Sequence, residues 1–245
     1  MGDKKMKKFI CLVLSLCCLF LLCACGNETD MSVNVKNNLK KMPKAEANLD
    51  SMFGVDKNIT VENIDEYLNR PDTVYRDMRM LFDPADYAAI GGDADLSFSI
   101  KGFKVVPYPY IATLQTLPVE GAYTGECLFT VKWNEDGTAG EIKANYKESM
   151  LALEELFPKD KNIIFTCGGG GYSGMMRAIL IKLGWDETKL YNIGGSWEYK
   201  GENRFEIISY PEDAKEDPVM ATWRADYAYI EFAKLHPVTD TEVSK

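Results

Sequence analysis

The 245-residue chain is 46% hydrophobic and 27% charged, without a low-complexity tract, a composition that sets aside disorder and leaves one large globular domain or two small ones. Its 37 Asp and Glu outnumber 28 Lys and Arg for a formal charge of −9, and this acidity argues against nucleic acid or an anionic membrane surface as a partner.

The first element is a leader. Lys4, Lys5, Lys7 and Lys8 precede an apolar stretch from Phe9 to Leu22, too short for a comfortable permanent span, so residues 1–24 read as a signal peptide. The stretch ends Leu22-Cys23-Ala24-Cys25-Gly26, which resembles the bacterial lipobox. That resemblance implies that Cys25 is the lipidated first residue of the mature chain, held on the extracytoplasmic face of the cell membrane by its lipid alone. Loss of the leader takes four Lys and one Asp from the totals and leaves 24 against 36, a charge of −12. Cys11, Cys17, Cys18 and Cys23 leave with it, so Cys127 and Cys167 are the remaining thiols. An oxidising exterior permits a disulfide between them, but sequence does not say whether they are close enough.

Residues 25–56 are mostly polar and are expected to form a flexible tether. Thr60, Asn63 and apolar Ile64, Tyr67 and Leu68 at helical spacing predict a capped helix over Ile59 to Leu68, followed by a strand from Thr73 to Met78. Asp83-Pro84 and Asp217-Pro218 each predict a helix start; Gly91-Gly92 stops the first helix, and the second runs to about Leu235, burying Val219, Trp223, Tyr227 and Ile230. Lys104 to Val106 predicts a short strand. Cys127 to Trp133 and Gly140 to Ala144 predict a hairpin turning at Asp136-Gly137, which decorates the domain. A helix from Tyr146 to Phe157, a strand from Asn162 to Thr166, a helix from Ser173 to Leu183 and a strand from Lys189 to Asn192 complete an α/β pattern with a mainly parallel sheet flanked by helices.

The stretch that carries chemistry is Thr166-Cys167-Gly168-Gly169-Gly170-Gly171-Tyr172-Ser173-Gly174. Glycines between a strand and a helix let backbone N–H groups turn inward, and the helix N-terminus adds positive potential, so the Cys167 thiol is expected to be depressed and reactive. The bland alternative is a buried cysteine beside a tight turn. Gly169, Gly171 and Gly174 fit a dinucleotide fingerprint, but the next strand ends Tyr191-Asn192-Ile193 without an acidic ribose ligand. A P-loop requires Lys-Ser/Thr where Met175 and Met176 stand, and a cysteine phosphatase loop requires Arg where Ser173 stands. His236 is a conceivable dyad partner for Cys167, though a solvent-facing position after the last helix fits it as well. No metal-ligand spacing is present and no cofactor is implied.

Four stretches together resemble the rhodanese family. Ile59 to Leu68 is similar to its opening helix, Val74-Tyr75-Arg76-Asp77-Met78-Arg79 to its Asp-x-Arg strand, Ile100 to Pro107 to its Ile-Pro-Gly-Ala segment, and Cys167 to Tyr172 to its six-residue active-site loop. Gly184-Trp185 and Gly194-Gly195-Ser196-Trp197-Glu198-Tyr199 continue the likeness, which covers residues 57–212 with a hairpin insertion at about 124–145. Residues 213–245 would be a helix and tail packed on the domain. The resemblance implies a rhodanese-like fold and a sulfurtransferase or persulfide carrier in which Cys167 accepts sulfur and Gly168, Gly169, Gly170, Gly171, Tyr172 and Ser173 cradle it. The partners would be a small sulfur donor and a thiol or other nucleophilic acceptor. Asp77 and Arg79 would be a supporting ion pair. Tyr172 stands where enzymes using anionic donors often have Arg, and Ser99 where the family has His; Arg177 is the nearest substitute cation, or else lies on an exposed helix face. Trp197 and Tyr199 either line the pocket or join the core. A silent rhodanese-like module binding a small anion or a protein is the alternative.

Overall fold

The computed structural model describes residues 39–79, 98–115, 125–206, 208–209, 219–220 and 230–239. The leader, Cys25, the helix expected at Asp83-Pro84 and its Gly91-Gly92 stop lie outside them. Contacts divide the chain into Met1–Lys41 and Met42–Lys245, and the second unit holds every strand of the described residues.

In chain order the strands are β1 (Thr73–Asp77), β2 (Phe98–Ile100), β3 (Lys104–Val105), β4 (Phe129–Trp133), β5 (Ala139–Ala144), β6 (Asn162–Cys167) and β7 (Leu190–Gly195), then the short β8 (Arg204–Glu206), β9 (Ile208–Ser209) and β10 (Val219–Met220). The helices are α1 (Tyr108–Ile111), α2 (Ser149–Leu156) and α3 (Gly171–Lys182). The central sheet is parallel, in the order β3-β1-β6-β7, so the chain is an α/β protein. Central β6 is covered on both faces, which is why Ile163, Ile164 and Phe165 read as a continuous apolar run. Alternation along the strands then sorts the core: Ile163, Phe165 and Leu190 face a cluster with Phe157, Met176 and Leu180, while Ile164, Tyr191 and Ile193 face one with Ile59, Ile64, Tyr75 and Phe103. Each fully buried side chain of this kind contributes about 1.5–3 kcal/mol.

Helix α3 ends in a motif legible in Gly184-Trp185. Gly184 has φ +91° and its N–H bonds the Ile181 carbonyl, while the Trp185 N–H reaches back to Leu180 at 3.0 Å, the paired bonds of a Schellman cap. The Trp185 indole then donates to the Phe157 carbonyl at 2.7 Å and ties α3 to the end of α2.

Four expectations need correction. Ile59 to Leu68 is not an α-helix; only Ile64–Tyr67 winds, as a 3-10 turn. The Ile59 N–H goes to Asp56 and that of Val61 to the Ile193 carbonyl, so the N–H groups that would found a helical ladder are spent on tertiary partners. The helix expected from Asp217-Pro218 to Leu235 is also absent where it is described: Val219–Met220 pairs antiparallel with β9, and Phe232–Lys234 is a 3-10 turn. The ladder holds Val219 and Met220 extended, so their backbone groups pair across the strands rather than along a helix. Trp223 and Tyr227 lie outside the described residues. The hairpin β4–β5 does more than decorate, since Phe129, Val131 and Ala139 enter the main core. Finally, the tether does not extend to residue 56: Ala45 and Asp56 are buried, and the folded unit begins at Met42.

Candidate active site

β6 delivers Cys167 to the carboxyl end of the parallel sheet, where open α/β folds place their ligands. The ladder to β7 slips between Phe165 and Cys167, a bulge that re-aims the cysteine just before the glycines. Gly170 then takes φ +95°, a conformation that suits glycine, and α3 starts at Gly171. This turn brings the Gly170 N–H to 3.0 Å from Cys167 Sγ. Ser173 is fully buried one turn later, and its hydroxyl has no hydrogen-bond partner of ordinary geometry although it lies close enough to the sulfur to stabilise an anion there.

The expected depression of the thiol is overturned. Cys167 is only 3% exposed, and burial pushes its pKa up; the Ser173 N–H and hydroxyl and the N–H groups of Gly170 and Tyr172 pull the other way without prevailing. The donor ring is therefore present, but it serves a sulfur that rests as a neutral thiol.

Beneath the site Asp77 and Arg79 form a fully buried ion pair. Arg79 Nε lies 2.9 Å from one Asp77 oxygen and Nη2 2.5 Å from the other; Nη2 also donates to the Phe98 carbonyl at 2.7 Å, and Ser99 Oγ donates to Asp77 at 2.8 Å. Removing one partner of such a pair costs about 3–5 kcal/mol, so the cation is committed to structure. Ser99 thus supports Asp77. Tyr172 stacks on Tyr108 with ring centroids 5.2 Å apart and sits largely in the core. Arg177 is pinned too: its Nε donates to the Leu190 carbonyl at 3.1 Å, and Glu187 lies 4.0 Å from Nη2.

Two walls of the cleft, whose volume is about 910 Å³, come from outside the sulfur loop, and sequence reasoning missed the first of them. One is a flap made from residues read as tether. Lys57 N–H bonds the Glu46 carbonyl and Asn48 N–H that of Val55, while Ser51 Oγ closes the bend against Asn48 and Val55. At its tip Phe53 adopts φ +67°, an uncommon conformation for a bulky residue, and its carbonyl accepts from Asn192 Nδ2 at 2.9 Å. The same amide donates to the Gly170 carbonyl at 3.2 Å, so buried Asn192 ties flap and sulfur loop together. The signal in the sequence was a short apolar run, Met52, Phe53 and Val55 around Gly54, inside a polar stretch. The second wall is the hairpin tip Asp136, Gly137 and Thr138. Trp197 lies across Gly169, where a Cβ would come within 2.5 Å of the indole, and it lines the cleft, whereas Tyr199 joins the core.

The structure does not bring the other candidates together. Cys127 is a free thiol bonded to the Phe129 carbonyl, and Cys167 is likewise free. His236 is exposed, paired with Glu148 at 2.6 Å, and is not among the residues lining the cleft. Among the described residues no group of Cys, His and carboxylates is placed to hold a metal, and no helix is long and apolar enough to cross a membrane. Comparison of the chain with protein-family models, with curated proteins and with solved structures gives no match.

Proposed function

We propose that the protein is a rhodanese-like persulfide carrier or sulfurtransferase acting through Cys167, anchored by lipid on Cys25 at the extracytoplasmic face of the membrane. The observation that carries the reading is a cysteine at the inner end of a cleft whose sulfur accepts the Gly170 N–H beside the partnerless, buried Ser173 hydroxyl. A buried donor without an acceptor is costly, and an anion on or just beyond the sulfur satisfies it.

In the reaction, the buried Cys167 thiol first gives its proton to solvent, and the resulting thiolate attacks the outer sulfur of a donor. A new S–S bond of about 2.05 Å forms, the old bond to that sulfur breaks, and its electron pair leaves with the donor remnant. With thiosulfate the remnant is sulfite; with an organic persulfide it is a thiolate that takes up the proton. A hydropersulfide is a stronger acid than a thiol, so the donors that fail to ionise the resting cysteine are better matched to the loaded one. A nucleophilic acceptor then takes the outer sulfur and the Cys167 thiolate is the leaving group.

Intact-mass measurement after exposure to thiosulfate, and separately to polysulfide, tests this reading. The wild-type chain is expected to gain one cyanide-removable sulfur, and Cys167→Ser none. No gain with either donor from folded, reduced protein favours the second reading, a silent module, for which the buried thiol and the absence of Arg at position 172 speak.

A further inference from the structure

The cleft around Cys167 combines a sulfur site with walls that suit a particular kind of donor. Its described lining is dominated by the exposed side chains of the flap, Leu49 (90% exposed), Met52 (75%) and Phe53 (49%), together with Met175 on α3 and Trp197 (41%) beyond β7. Apolar and aromatic groups left this open, converging on one nucleophile, form a binding surface more readily than a core. The charges point the same way. Arg79 is bound to Asp77 and the Phe98 carbonyl, Arg177 to the Leu190 carbonyl, and among the described residues the remaining charged group of the lining is the carboxylate of Asp136 at the hairpin tip. A dianion such as thiosulfate would enter past a carboxylate toward cations already committed elsewhere.

Resting on the sulfur-transfer reading above, we infer that the physiological donor is a sulfane-sulfur compound with an aromatic or long aliphatic body, such as an organic persulfide, carrying at most one negative charge. The apolar body lies between the flap and the Trp197 indole, and the outer sulfur points at Cys167. The geometry of the flap fits this role: Phe53 is held by its backbone, through the Asn192 bond to its carbonyl, and by one side of its ring against Gly170 and Gly171, while the rest of the ring stays open toward the cleft.

Thiosulfonates test the inference, because benzenethiosulfonate and methanethiosulfonate share one charge and the same transferable sulfur and differ only in the body. Each gives its outer sulfur to the Cys167 thiolate and leaves as the sulfinate, so charge and electrons balance. With the full chain the benzene donor is expected to have a KM at least tenfold below that of the methane donor, and thiosulfate the highest of the three. Trp197→Ala, and independently Met52→Ser on the most exposed part of the flap rim, should bring the two thiosulfonate KM values together. Equal KM values in the wild type, or a preference that survives both substitutions, overturns the inference while sulfur transfer stands. A separate binding arm uses Cys167→Ser with benzenesulfonate and methanesulfonate, which carry no transferable sulfur. Tighter binding of the aromatic anion without any sulfur loading of the wild type removes the sulfur-transfer reading and keeps the apolar ligand. Failure of both arms removes both.

Discussion

At Cys167 two electrostatic effects oppose each other. Burial disfavours the thiolate, while the Ser173 N–H and hydroxyl and the Gly170 and Tyr172 N–H groups favour it, and burial prevails. The folded thiol therefore titrates above the unfolded one, so the unfolded chain loses its proton first. Stability from the neutral thiol is complete below the ordinary thiol range and is lost as pH rises through the folded value. Ser173→Ala removes one of the stabilising donors and should move the alkylation profile of Cys167 toward iodoacetamide to still higher pH. An unmoved midpoint would show that the hydroxyl does not act on the sulfur. The glycine pattern made the donor ring visible in the sequence; the burial that outweighs it was not visible, because it comes from residues far along the chain. Tyr172 illustrates the same gap, since the identity of the residue was read correctly as neutral but its stacking on Tyr108 depends on a segment more than 60 positions away.

Among the elements, the strands of the parallel sheet and of the hairpin were the most legible, while β2, β8, β9, β10 and the flap were not. The run Ile163-Ile164-Phe165 announces a central strand because its environment is apolar on both sides, and the Asp136-Gly137 turn announces a hairpin through the φ of +81° that Gly137 adopts. The flap is fixed by bonds from Asn192 and to the Asn192 carbonyl, more than 130 positions away, so a local reading sees only a polar stretch. Gly174 exposes this dependence. Alanine is the better helix former by about 1 kcal/mol, so the substitution should stabilise α3 in isolation. Here, however, a Cβ at residue 174 would lie 2.7 Å from the Phe53 carbonyl oxygen, and that oxygen is backbone. Gly174→Ala is therefore expected to lift the flap and accelerate proteolysis between Leu49 and Gly54 by roughly tenfold, which corresponds to about 1.4 kcal/mol of local opening. A more stable protein with unchanged cleavage would mean that the flap does not rest on α3.

At the scale of the folded unit, the described lining of the cleft comes from separated stretches, among them the flap, the hairpin tip, the sulfur loop and Trp197. The parallel sheet supplies only the Cys167 end, so its order β3-β1-β6-β7 makes the α/β class legible without making the pocket legible. The flap should also matter for global stability. It and the residues before it contribute the Ala45 N–H to the Thr188 carbonyl, the Asp56 N–H to the Asn192 carbonyl, the Phe53 carbonyl to Asn192, and the Pro43 carbonyl to the Tyr191 hydroxyl at 2.6 Å. At about 1 kcal/mol each these bonds sum to roughly 4 kcal/mol, and their loss would take from the buried Asn192 amide one of its two acceptors, leaving the Gly170 carbonyl. A chain that starts at Lys57 is accordingly expected to melt roughly 10 °C below one that starts at Met42, the drop expected from such a loss in a domain of this size. Calorimetry on the two chains decides the matter. Equal melting temperatures would make residues 42–56 a dispensable cover, whereas the expected drop makes them part of the fold that builds the sulfur site.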